Sequence, residues 1–116
     1  MAEAPTVTTE HIQSLIIAEH YFTARDGKEG ALLAETYEGR EYPVTVDALG
    51  HDPLGLVTFC VLVLENGFTV IGTSACASPA RFDAELGRKY ARENAVEQVW
   101  KLEGYRLRQK LHEEGH

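Results

Sequence analysis

Two cysteines, Cys60 and Cys76, are all the chain has, and no CxxC spacing joins them. Two thiols cannot hold a structural zinc by themselves, so the expected state of both is a free thiol buried among apolar or small neighbours. Basic residues are also scarce: 11 Lys and Arg stand against 18 Asp and Glu, for a net charge of −7. Coating DNA by charge needs a basic face, so that class is excluded. Long hydrophobic runs are missing. The longest, Leu56 to Leu64, is interrupted by Thr58 and falls well short of the roughly 20 residues that span a bilayer. The opening residues, MAEAPTVTTE, lack the basic and apolar regions of a secretory signal, so a soluble, intracellular protein is expected. No GxSxG elbow, P-loop or dinucleotide fingerprint occurs, and two of the five histidines, His112 and His116, lie near the C-terminus, where chains fray.

What remains is the material of one α+β domain. A length of 116 residues with 44% hydrophobic content suits a single domain over 1–116 and is too apolar for a disordered chain. Thr8 or Thr9 can cap a first helix, and Ile12, Leu15, Ile16, Glu19 and Phe22 follow at helical spacing. A helix over 9–24 is expected, ended by Asp26-Gly27. Residues 25–55 hold five glycines, two prolines and most of the acid excess, and read as a variable, loop-rich segment. Gly30 to Tyr37 fits a short helix or a strand.

The clearest local signal comes next. Leu56–Leu64 and Thr69–Ser74 are rich in β-branched and aromatic residues and flank Asn66-Gly67, which predicts an antiparallel hairpin over about 56–74 with a type I′ turn. The first strand is apolar on both faces and so needs cover on both. Helices of the chain can cover one; a second subunit is expected on the other, making a homo-oligomer, most simply a dimer. Ser78-Pro79 then reads as the cap and first position of a long helix or helix pair over about 79–113, with Gly104 as a possible bend. Phe82, Leu86 and Tyr90 make one apolar row of it; Ala84, Ala91, Ala95, Val99 and Leu102 make another.

Charge places the candidate site. Residues 1–77 carry 3 basic and 11 acidic residues, a net of −8, whereas 78–116 carry 8 and 7, a net of +1. An anion is therefore best sought in the last third. Ser74 to Phe82 leaves a strand and enters a helix through small residues, so a ligand can approach the backbone, with Arg81 as a cation and Phe82 as an aromatic face. Arg88 and Arg92 stand at i,i+4, a pairing that suits a dianion. Asn94, a poor helix former among Ala91, Ala95 and Val96, is a candidate for a hydrogen bond to ligand or backbone. Arg106 completes the candidate set. Arg108, two residues on, faces another side. For catalysis, His51 beside Asp52 and the carboxylate row Glu35, Glu38 and Glu41 are the available groups, but a plain turn and solvated charge are the preferred readings of them. No enzyme, metal or cofactor is expected.

The residues also carry a resemblance. TTEHIQSLIIAEHYFTARD (8–26), the core LVTFCVLVLENGFTVIGTSACASPARFDAELGRKYARENAVEQVW and the C-terminal KLEGYRLRQKL resemble a family of small tailed-phage proteins labelled by a gp-forty-nine protein and an Sf-six gene-sixty-six protein. ENGFTV, SACASP and ARENA in that order are its most specific parts, and 27–55 lies outside it. Lys101 stands where many members have proline, which lets the last helix run on unbroken through Trp100. The layout of a hairpin followed by long helices with Arg and Asn is also similar to phage anti-defence sponge proteins of the Thoeris and CBASS systems. That likeness implies sequestration of a cyclic nucleotide signal, such as a cyclic ADP-ribose isomer or a cyclic oligonucleotide, without cleavage, in the infected cell's cytoplasm. Arg81, Arg88 and Arg92 would then neutralise phosphates, Phe82 would stack, and Asn94 would hydrogen-bond. The alternatives are an acidic adaptor that inhibits a host protein, and a small nucleotide-directed enzyme. Membrane and long nucleic acid are not expected partners.

Overall fold

A computed structural model describes residues 5–34 and 52–115. In chain order they form α1 (Thr9–Leu15), β1 (Ile16–Thr23), α2 (Ala24–Leu32), a 3₁₀ turn (Pro53–Leu56), β2 (Val57–Leu64), β3 (Thr69–Ala75), a second 3₁₀ turn (Pro79–Arg81) and α3 (Ala84–Glu113). The three strands make one antiparallel sheet in the order β1-β2-β3. The α+β reading, with an N-terminal helix, a hairpin and a long C-terminal helix, describes this architecture.

Helix α1 starts as the sequence suggests, with Thr8 Oγ1 accepting from the His11 amide at 3.1 Å. It buries Ile12 and Leu15 and then stops. The expected helix over 9–24 is therefore corrected: its second half is strand β1, paired with Thr58–Leu64. Ile16, Ile17, Tyr21, Phe22 and Thr23 are strand formers, and pairing satisfies the first edge of β2. A bulge between Ile16 and Ala18 shifts the phase of the strand, so no clean period of two is visible in the sequence. Asp26-Gly27, read as a stop, lies instead in the first turn of α2. Thr23 and Asp26 form a reciprocal capping box there.

The hairpin stands where expected, but its turn differs. Asn66 does not take a positive φ; Gly67 alone does, at +88°. The Gly67 amide donates to the Leu64 carbonyl and the Leu64 amide to the Phe68 carbonyl, both at 2.8 Å. This is a three-residue loop with a glycine bulge rather than a type I′ turn. The Asn66 side chain accepts from the Phe68 amide at 2.9 Å, a bond that holds the chain in this form.

Strand β2 alternates in burial in spite of its unbroken apolarity. Thr58, Cys60, Leu62 and Leu64 are buried, and the last three join Ile12, Leu15, Val70, Ala91, Ala95 and Val99 in one core. Val57, Phe59, Val61 and Val63 face the other way. There they share an apolar surface with Phe22 and Ile71, which are 39% and 55% exposed. Among the described residues α3 covers one face of the sheet; on the other, α2 meets the Phe22 end at Gly27, and Ile71 on β3 stays exposed.

The last helix begins later than Ser78-Pro79 implies. Those residues open only the short 3₁₀ turn, and the Ser78 side chain makes no capping bond. Phe82 and Asp83 are extended, and Asp83 Oδ1 caps α3 by accepting from the Glu85 and Leu86 amides at 2.9 and 3.2 Å. The helix is then continuous for 30 residues, through Lys101 and Gly104. It crosses β3 at Gly72, where no side chain fits. The Ala91, Ala95 and Val99 row faces the core, whereas Leu86 and Tyr90 are exposed. No helix of the described residues is long and apolar enough to cross a membrane.

Candidate ligand-binding site

The connection from β3 to α3 is built almost wholly of small residues, and its backbone is tied down. The Cys76 amide donates to the Leu56 carbonyl at 3.0 Å and the Arg81 amide to the Ser78 carbonyl at 3.1 Å. The Cys76 thiol donates to the Ser78 carbonyl at 3.2 Å. Between this connection and the first turns of α3 lies a cleft of about 330 Å³. Leu56, Cys76, Arg81, Phe82, Leu86 and Tyr90 line it. The apolar row Phe82, Leu86 and Tyr90 is thus cleft wall rather than core. Its one carboxylate, Asp83, is occupied by the α3 N-terminus.

Phe82 also lines a smaller pocket, of about 80 Å³, together with Tyr21, Asp26, Thr58 and Arg88. One aromatic ring therefore stands between two concavities, with Arg81 in the wall of one and Arg88 in the wall of the other. Among the described residues, neither guanidinium has an ion-pair or hydrogen-bond partner. Cation, aromatic face and small-residue backbone are the parts that a phosphate-bearing ring compound needs.

The structure brings Arg81, Phe82 and Arg88 together and separates the other candidates from them. Arg92, one turn further along α3, is held by β1 and α1. Its Nε donates to Glu19 at 2.5 Å and its terminal nitrogen to Gln13 Oε1 at 2.9 Å, so it braces three elements. Asn94 donates from Nδ2 to the Thr73 carbonyl on edge strand β3 at 2.7 Å, the backbone partner its setting allows. Arg106 lies about 27 Å beyond Arg88 along α3. There it donates to Glu103 at 3.3 Å, and Glu103 is also 2.6 Å from His11 Nε2. Of the two thiols, Cys60 is buried, and burial pushes it above the usual thiol range, whereas Cys76 is only half-buried and belongs to the cleft.

The Arg92 brace has a pH signature. The Arg92 hydrogen bond, helped by one from Tyr21, holds the Glu19 carboxyl below its ordinary 4.5. A depressed carboxylate contributes stability above its unfolded pKa and loses it as pH falls through the folded value. The brace should therefore act fully at pH 6 and weaken below about 4.5. Both partners are about one-third exposed, so Glu19→Gln should cost only about 1 kcal/mol at pH 6 and almost nothing near pH 3. Urea denaturation at the two pH values measures this difference. Equal losses at both would show that the charge is not what holds Arg92.

Sequence reasoning missed Thr58, although it is the one polar residue in an apolar run. It also passed over His112 to His116, HEEGH, which has the spacing of a zinc-binding HExxH motif. That motif needs an unbroken helix; here α3 ends at Glu113 and Gly115 takes φ +85°, while His116 lies outside the described residues. Glu35, Glu38, Glu41 and His51 also lie outside them. Among the described residues no three His, Cys, Asp or Glu side chains group as metal ligands.

No curated protein and no solved structure matches the chain at a significant level. Residues 7–111, nearly the whole length, match the family described as Phage protein (N4 Gp49/phage Sf6 gene 66) family, so the match runs across 27–55, which the motifs left outside the resemblance. The chain belongs to that phage protein family.

Proposed function

We propose that the protein is a non-catalytic binder that sequesters a cyclic nucleotide signal, of the cyclic ADP-ribose or cyclic oligonucleotide type. It would do so in the cytoplasm of an infected bacterium, as a phage counter to host defence. The observation that carries this reading is the Phe82 ring flanked by two guanidiniums, Arg81 and Arg88, that have no partner among the described residues. The ring offers a stacking face for a base, Arg81 suits a phosphate in the larger cleft, and Arg88, which shares its pocket with Asp26, supplies hydrogen-bond donors on the other side. An acidic chain is compatible with this, because a small anion needs a local pair of cations rather than a basic surface. The cleft, at about 330 Å³, is at the lower end of small-molecule sites. Sequestration requires tight stoichiometric binding and no bond cleavage.

The same proposal includes pairing with a second copy through the open face of the sheet. The strand residues on that face, from Ala18, His20 and Phe22 across to Thr69, Ile71 and Thr73, include no carboxylate, although the chain carries −7 overall. Two such faces can meet without burying like charges, as an isologous contact requires.

Thermal denaturation against cyclic ADP-ribose isomers and cyclic di- and trinucleotides tests the function. A true ligand at a hundred times its Kd should stabilise the fold by about 2.7 kcal/mol and be recovered intact from the denatured protein. Arg88→Ala should remove that shift and leave the unliganded melting temperature unchanged. No shift with any member of the panel overturns the proposal.

A further inference from the structure

Arg106 and Lys110 stand at i,i+4 near the end of α3, so their charges share one side of the helix. Like charges at that spacing destabilise a helix unless an anion stands beside them. Both line a cleft of about 260 Å³ between α3 and the segment that leads into α1. Val7 and His11 belong to the α1 side of this cleft, and Glu103 and Leu107 to the α3 side.

Glu103 is the one carboxylate among these lining residues, and two groups already share it. Its side chain is 12% exposed, and Oε1 lies 2.6 Å from His11 Nε2 and accepts from Arg106 at 3.3 Å. The bond to Arg106 is long and uses one terminal nitrogen of the fork. The other guanidinium donors and the Lys110 ammonium have no partner among the described residues. With His11 counted as neutral, two cations and one carboxylate leave the lining a net charge of +1. Val7 and Leu107, both half-buried, give the cleft an apolar side, and Val7 also packs against the core.

Each feature narrows the occupant. A surplus of one positive charge suits a monoanion. Free guanidinium donors beside an ammonium match the planar oxygens of a carboxylate. The apolar side suits an uncharged body. The volume is that of roughly eight or nine liquid waters and lies below the ~300–1,000 Å³ of drug-sized sites, so the occupant is small. The cleft is also about 27 Å along α3 from Arg88, so no small molecule spans it and the Phe82 groove.

We propose that this cleft is a second binding site, for a small monocarboxylate with an apolar body. Arg106 and Lys110 hold the carboxylate, and Val7 and Leu107 cover the body. The site stands apart from the reading of the Phe82 groove and does not depend on it.

The test uses the full chain at fixed pH and ionic strength, with benzoate, benzamide, acetate and inorganic phosphate as probes. The His11 ring resonance, in the wall of the cleft, reports binding. Benzoate should shift it saturably. Benzamide, which lacks the charge, and acetate, which lacks the body, should each bind at least ten-fold more weakly. Lys110→Gln should raise the benzoate Kd at least ten-fold. It should leave the His11 resonance of the free protein in place, since the bonds to His11 and Arg106 come from Glu103. Should Lys110→Gln fail to fold, Arg106→Gln decides by the same Kd. No saturable shift with benzoate, an equal response to benzamide, or a wild-type Kd in the variant overturns the site. Tighter binding of phosphate than of benzoate overturns the carboxylate assignment. Benzoate binding in a protein that responds to no cyclic nucleotide keeps this site and overturns the proposed function; the reverse pair of results does the opposite.

Discussion

Gly72→Ala should unfold the protein or lower its melting temperature by 10 °C or more. A Cβ at this position would lie 2.0 Å from the Ala91 carbonyl oxygen and 2.3 Å from the Ala95 nitrogen. Both atoms are backbone of α3, so no side chain can rotate away; the helix itself must lift. Ala91 and Ala95 are fully buried on β3 and β2, and lifting them loosens Val99, Val70 and Leu62 with them. Overpacking ordinarily costs about 1–3 kcal/mol, and a clash with fixed backbone belongs at or above the top of that range. For a domain of this size such a loss corresponds to roughly 10 °C. Gly30→Ala is the control. It lies in α2 with open space around it and should be neutral or stabilising by up to about 1 kcal/mol. A Gly72→Ala melting curve that overlays the wild type would overturn the close crossing of α3 over β3.

Ile71→Lys should convert a dimer into a monomer. Ile71 is 55% exposed and lies on the open face of the sheet, opposite Val61. In the isolated chain the change is a surface substitution, expected to move stability by no more than about 0.5 kcal/mol. In a face-to-face pair it buries an unpaired ammonium in each copy. A penalty of about 3 kcal/mol, at the low end for an uncompensated buried charge, raises the dimer Kd more than a hundred-fold. Light scattering on a sizing column should give twice 12.9 kDa for wild type and 12.9 kDa for the variant. A wild-type monomer at about 100 µM, or a variant that still pairs, would overturn the open face as the contact.

Much of this architecture is legible in the residues because its causes are local. Asn66-Gly67 between two β-branched runs makes a hairpin in most settings, since the turn forms from neighbours in sequence. The proline-free stretch after Asp83 makes a helix for the same reason. The candidate site is legible in part: Arg81 and Phe82 follow from the small-residue connection they belong to, whereas Arg88 was singled out by its i,i+4 spacing to Arg92, a pair that the structure divides between two roles.

Other features follow from partners far away in the chain. Ile12, Leu15, Ile16, Glu19 and Phe22 fit a helical stripe, and nothing near Ile16 stops a helix there; β2, some forty residues later, does so by pairing with Ile16–Thr23. Arg88 and Arg92 look equivalent at i,i+4. Glu19 and Gln13 meet only Arg92, one turn further along α3, and Arg88 is left beside Phe82, Tyr21 and Thr23. Ser78 and Asp83 are both good caps by type. Asp83 is the cap because the chain is extended at Phe82 and Asp83 after the 3₁₀ turn, which puts the Asp83 carboxylate on the Glu85 and Leu86 amides. The sequence by itself determined the elements whose free energy comes from neighbours: the hairpin, the long helix and the family. The tertiary structure decided which ambiguous segment becomes β1, and which arginine becomes a brace and which stays free. Those outcomes depend on burial and hydrogen bonds between residues that meet only after the chain has folded.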